Sequence, residues 1–197
     1  MRVISHDDVV RAARRQFLAS STIDVEALAG ELAVSRATLY RTISSQDRLI
    51  GDVLWELAER TLDAAVAAAA HLRGADRMLA ISHRFESEIG AFEPLQRWVR
   101  RDPLQASRVL FTPAGAVHER CVKAWADIFR AAEDAGELAL PCDAQGFAYL
   151  YVRFGETLLH GELLAGVSAD PTTAERVRRL LLEAQPAAGA RPGTAVP

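Results

Sequence analysis

Hydrophobic positions recur at helical spacing along almost the whole chain, and no stretch alternates with the period of two that a strand requires. Residues 5–20 place Val9 or Val10, Ala13 and Phe17 on one face, with Arg11, Arg14 and Arg15 mostly off it. Ser5 stands at the cap position and Asp8 completes a short capping box. A second helix is predicted over 25–33, capped by Asp24, with Ile23 and Leu28 as a hydrophobic staple and Leu28, Ala29 and Leu32 inward. After a break at Val34, Ser35 caps a third helix over 36–43 that turns Leu39 and Ile43 inward. Ser44 or Ser45 caps a fourth, whose Leu49, Ile50, Val53, Leu54 and Leu57 carry the pattern towards residue 70, with Asp47 near its positive end.

Past a break at Gly74, residues 76–90 form an amphipathic segment with Met78, Leu79, Ile81, Phe85 and Ile89. Pro94 and Pro103 each start a short helix. Two long helices follow. The first, over 115–135, carries Val117, Cys121, Trp125, Ile128 and Ala132 in one stripe and ends at Gly136. The second, over 143–165, is apolar around much of its circumference, which predicts cover from its own core and from a second subunit. A last helix is predicted over 172–184. The tail 186–197 is rich in turn formers and has no large hydrophobe beyond Val196, so it reads as disordered. The expectation is an all-α chain: a small N-terminal helical domain over 1–50, a helical bundle over 51–185 and the tail.

Two short capped helices separated by a tight break have the plan of a helix-turn-helix, and equally that of a hairpin inside any α-bundle. Composition does not choose between them. Half of the 197 residues are hydrophobic and a quarter are charged, as in ordinary globular chains. No apolar run approaches the roughly 20 residues that span a bilayer, and the first residues lack a signal-peptide core. A cytoplasmic location away from membranes is therefore expected. The formal net charge is −3, and residues 1–60 hold eight Arg against nine Asp plus Glu, so no overall basic footprint exists. Lys123 is the only lysine, so the positive charge is almost all guanidinium, which suits phosphate and guanine contacts. Cys121 and Cys142 have no metal-ligand spacing, the histidines form no metal pattern, and no cofactor is expected. The chain lacks GxSxG, P-loop, HExxH and dinucleotide-turn motifs, and no enzymatic activity is expected.

The stretch from Leu28 to Ile50, and above all Val34-Ser35-Arg36-Ala37-Thr38-Leu39-Tyr40-Arg41, resembles the DNA-binding signature of the TetR (tetracycline-repressor-like) family. That pattern often has Gly where Ala33 stands, His-Phe where Thr42-Ile43 stands and Lys where Gln46 stands. The segments 95–103, 136–141 and 148–156 are similar to the regulatory domain of actinobacterial quorum-signal-degradation regulators. The resemblance implies a transcriptional regulator, a repressor that binds a pseudo-palindromic DNA operator as a homodimer. A small hydrophobic effector, a lactone or other acyl compound, would release it. The rival reading is a helical interaction module that kept the fold without DNA binding.

On the recognition helix, Ser35, Arg36, Ala37 and Arg41 are the candidates for base edges, with Arg36 able to take guanine O6 and N7 in a fork. Thr38, Tyr40 and Gln46 are candidates for phosphates, which position the protein without specifying sequence. Effector candidates are the aromatic residues Phe85, Trp98, Phe111, Trp125, Tyr151 and Phe154, with His118 as a polar contact. His160, Arg153 and Glu156 are further polar candidates, and Arg153 and Glu156, spaced i, i+3, can pair with each other instead. The homodimer is expected through the helices near 115–135 and 143–165.

Overall fold

The computed structural model describes residues 4–161, 163, 166–167 and 169–184. The tail 186–197, expected to be disordered, lies outside the described residues. Among them run ten helices of seven residues or more and no strand, so the fold is all-α. They are α1 (His6–Ser20), α2 (Val25–Glu31), α3 (Arg36–Ile43), α4 (Gln46–Ala68), α5 (Gly74–Ala91), α6 (Glu93–Arg101), α7 (Pro103–Phe111), α8 (Val117–Asp134), α9 (Ala144–Leu159) and α10 (Pro171–Glu183). The chain divides into two compact units. One joins the residues up to Thr61 with Glu88–Glu119; the other joins Leu62–Ser87 with the residues from Arg120 onward.

In the first unit, the caps decide where the short helices begin. Ser5 and Asp8 form the full capping box of α1, Asp24 accepts from the amides of Glu26 and Ala27, and Ser35 accepts from the amide of Thr38. Ser45, rather than Ser44, caps α4, because its hydroxyl accepts from Arg48 N. Helix α2 stops at Glu31, two residues short of the predicted end. Ala33 adopts a left-handed φ of 54°, and the amides of Ala33 and Val34 fold back onto the carbonyls of Gly30 and Ala29. Val9, Ala13, Phe17, Leu28, Leu39, Ile43, Leu49 and Val53 are all buried and form the core.

Helices α6 and α7 belong to this unit and clamp it at two points. Trp98 packs edge-on against Phe17, with centroids 6.1 Å apart. Arg97 Nε donates to Ser21 Oγ at 3.0 Å, and Arg101 donates to the carbonyls of Ser20 and Ser21, which places two cations on the negative end of α1. Asp47, in the first turn of α4, accepts from Gln105 at 3.1 Å and Arg108 at 3.0 Å. A glycine is required where α4 meets the segment after α7. A Cβ on Gly51 would lie 2.1 Å from the carbonyl oxygen of Gly115.

The second unit is held by an aromatic cluster. Phe129 meets Phe147 at 4.8 Å and Tyr151 at 5.0 Å, both edge-on, and Trp125 lies 5.0 Å from Tyr151. Gly136, with φ 68°, ends α8, its neighbour's amide returning to Ala132 O. Asp143 caps α9 and Asp170 caps α10. Helix α9 ends at Leu159, earlier than the 165 expected from its pattern.

Candidate nucleic-acid interface

The two faces of α3 are sharply different. Leu39 and Ile43 are buried, while Ser35, Arg36, Ala37, Tyr40 and Arg41 are exposed on the opposite side. Tethers on three sides fix the helix. At its start, Ser35 caps it, and Ser35 Oγ lies 3.0 Å from Thr38 Oγ1. At its end, His6 Nδ1 lies 3.3 Å from the carbonyl of Thr42, while Nε2 of the same ring meets Asp52 on α4 at 3.1 Å. Beneath it, Leu39 and Ile43 enter the shared core.

The structure brings six of the seven predicted DNA-contact residues onto this one helix and its cap. Arg36 and Arg41 supply the exposed positive charge. Arg41 Nη2 donates to Thr38 Oγ1 at 3.2 Å, so its guanidinium lies along the helix surface. Thr38 is half-buried, and its hydroxyl is engaged by both the cap and Arg41. Gln46, the seventh, sits at the first turn of α4, where its Nε2 donates to the carbonyl of Ile23 at 2.9 Å and ties the turn before α2 to α4. The arginines of α1 have carboxylate partners: Arg11 with Asp8, Arg14 with Glu56 and Arg15 with Glu31. Sequence reasoning missed His6 and Asp52, because residues 46 positions apart on two polar helix faces leave no spacing signal.

The predicted effector residues fall in both units. Trp98, Phe111 and His118 lie in the first, where Trp98 is buried against Phe17 and His118 is buried near the start of α8. Phe85, Trp125, Tyr151 and Phe154 lie in the second. There Tyr151 and Phe154 lie against a polar group that the sequence pattern did not single out, and Trp125 lies against Tyr151. Arg178 on α10 is 1 % exposed and pairs with Glu86 on α5 through both terminal nitrogens, Nη1 at 3.0 Å. Its guanidinium lies 5.2 Å from the ring centre of Tyr151 and 5.5 Å from that of Phe154. Tyr151 Oη contacts Ser82 Oγ at 2.6 Å. Burial pushes the Tyr151 phenol up to about 12, against the lowering influence of Arg178 and Ser82, so it stays protonated.

Arg153 and Glu156 pair with each other at 3.0 Å. His160, buried at the end of α9, is pushed below its ordinary range by burial, with Glu156 opposing. Cys121 is raised to about 12 by burial and by Glu156, which keeps it an unreactive thiol. Cys142 is exposed. Among the described residues, no cluster of three His, Cys, Asp or Glu could hold a metal ion, and no helix is long and apolar enough to cross a membrane.

Residues 73–183 match the family described as tetracyclin repressor-like, C-terminal domain. Among solved structures, the chain is similar to the R. erythropolis transcriptional repressor QsdR from the TetR family, with 28% sequence identity and a TM-score of 0.84. That similarity covers 91% of this chain and 95% of the other. Nothing among the curated proteins matches. The match over residues 73–183 takes in more than half of the 197 residues, and the chain belongs to the TetR family of transcriptional regulators.

Proposed function

We propose that the chain is a cytoplasmic repressor that binds a pseudo-palindromic DNA operator as a homodimer and is released by a small hydrophobic effector. In this reading it acts by binding alone and catalyses no reaction. Residues 1–50 are the DNA-reading domain, braced by α6 and α7, and 51–185 sense the effector and dimerise. The observation that carries the reading is α3: a capped helix, buried on one side, that holds Arg36, Ala37, Tyr40 and Arg41 outward from its first two turns. The N-terminal residues of such a helix reach base edges when it lies in a major groove. Ser35, Arg36, Ala37 and Arg41 read bases, and Thr38, Tyr40 and Gln46 set the phosphate register. The similar R. erythropolis protein is a transcriptional repressor, which supports the same sign of regulation here.

Dimerisation is assigned to α9 and α10. Tyr149 and Leu150 on α9, and Val177, Leu180 and Leu181 on α10, are large apolar side chains left exposed, Leu150 and Leu180 by 62% and 65%. The sequence pattern pairs 143–165, which contains α9, with 115–135. The outward side of α8, however, carries Lys123, Asp127 and Arg130 in an ion-pair chain, a solvated surface rather than an apolar seam.

The test is a mobility shift of the full chain on the DNA upstream of its own gene at two salt concentrations. A discrete complex that resists competitor DNA and weakens with salt is expected. A folded dimer that forms no such complex there, and selects no site from random duplexes, would overturn the reading.

A further inference from the structure

The buried polar cluster at the meeting of α5, α9 and α10 has a hydrogen-bond inventory that can be closed group by group. Ser82 Oγ donates its proton to the carbonyl of Met78 at 3.0 Å. The contact between Ser82 and Tyr151 therefore uses the phenol's proton, and both hydroxyl donors are spent. Glu86 accepts from both terminal nitrogens of Arg178. One nitrogen is left with no acceptor at all. Arg178 Nε has no hydrogen-bond partner among the described residues, on a side chain that is 1 % exposed. Buried donors without acceptors are rare enough to call for a partner.

The surroundings set the chemistry of that partner. Tyr151 and Phe154 lie against the guanidinium, and Trp125 lies against Tyr151. Phe154 is only half-buried within a single subunit. Charge decides the rest. Glu86 already neutralises Arg178, so a carboxylate ligand would enter an aromatic, desolvated site with no cation to spare. A neutral acceptor meets no such penalty.

The geometry points to an effector site built on Arg178, Glu86, Tyr151 and Phe154 that takes a neutral, apolar molecule bearing one carbonyl-type acceptor, received by Arg178 Nε–H. The inference rests on reading the second unit as the effector-sensing part of the chain. It extends that reading by fixing the ligand's charge and the atom that recognises it.

The probes are methyl esters from butanoate to decanoate and their matched free carboxylates, tested by equilibrium dialysis against the full chain. At least one ester binds saturably, ten-fold or more tighter than its carboxylate. Arg178→Lys keeps a cation opposite Glu86 but has no equivalent of the Nε–H edge, and it weakens ester binding at least ten-fold in a protein that still melts cooperatively. If that variant fails to fold, Phe154→Ala, at a half-buried position, weakens the same ester to a similar degree. Equal or tighter binding of the carboxylates, no ester binding, or full ester affinity in the folded variant would each overturn the site. A mobility shift on the same preparations separates the two readings. Ester binding without DNA binding leaves the site standing and removes the DNA-binding reading; DNA binding without ester binding does the reverse.

Discussion

The short helices around α3 and the buried centre of the second unit are put together in opposite ways. Around α3, the chemistry is local. Its cap, its exposed arginines and its inward leucine and isoleucine all fall between residues 35 and 43, and the turn before it is set by Ala33. The polar centre of the second unit assembles Ser82, Glu86, Tyr151 and Arg178 from three helices, with Glu86 and Arg178 92 positions apart. A local device can be altered one group at a time with modest effects on the rest. A buried device built from distant residues has each group compensating another, so removing one leaves its partner stranded.

The largest effect is therefore expected in the second unit. Glu86→Ala leaves the Arg178 guanidinium buried without its carboxylate and costs about 3–5 kcal/mol, read from urea or thermal unfolding. A loss under about 1 kcal/mol would show that the pair is well solvated and that the contrast between the units is false. Next comes Arg36→Ala, which should weaken operator binding by about 5–150-fold, the equivalent of ~1–3 kcal/mol for one bidentate base contact, while unfolding is unchanged. Equal weakening on all sequences would make Arg36 a phosphate contact instead.

Smaller effects sharpen the picture of the turn. Ser35→Ala removes the hydroxyl that accepts from Thr38 N and costs about 1 kcal/mol of stability. Ala33→Gly relieves a left-handed alanine and should raise stability by about 0.5–1 kcal/mol, the net of strain relief and the added freedom of the unfolded chain. The smallest effect concerns His160. Burial lowers its folded-state value below the ordinary 6.5, so the unfolded chain binds the proton more readily. Its contribution is complete above 6.5 and is lost as pH falls below it; His160→Asn should flatten the melting temperature between pH 7.5 and 5.5.

The same contrast explains what is legible in the sequence. Caps, staples and inward faces are short-range signals, and they locate α1, α2 and α3 and the outward residues of α3. The end of α2 escapes them because Leu32 continues the apolar period while the backbone at Ala33 has already turned left-handed. Aromatic spacing points to Trp125, Tyr151 and Phe154, yet groups them with Trp98, which packs against Phe17 in the other unit. Arg178 is invisible in the sequence because an arginine on a short amphipathic helix looks like a solvated side chain. Only its carboxylate on α5 and the rings of α9 make its burial tolerable. The arginines of α1 fall mostly off its inward face in the sequence pattern, which does not show that each has a carboxylate partner.

The central claim is that α3 reads DNA sequence as one of a symmetric pair. The most direct measurement is selection of bound duplexes from a random pool by the full chain, with Arg36→Ala run in parallel. The account predicts enrichment of two inverted half-sites about 10–10.5 base pairs apart centre to centre, or a multiple of that, with preference at one position in each half-site relaxed by the substitution. Enrichment of no sequence by the folded wild-type chain, or of a site whose every position is unaffected by Arg36→Ala, would contradict it.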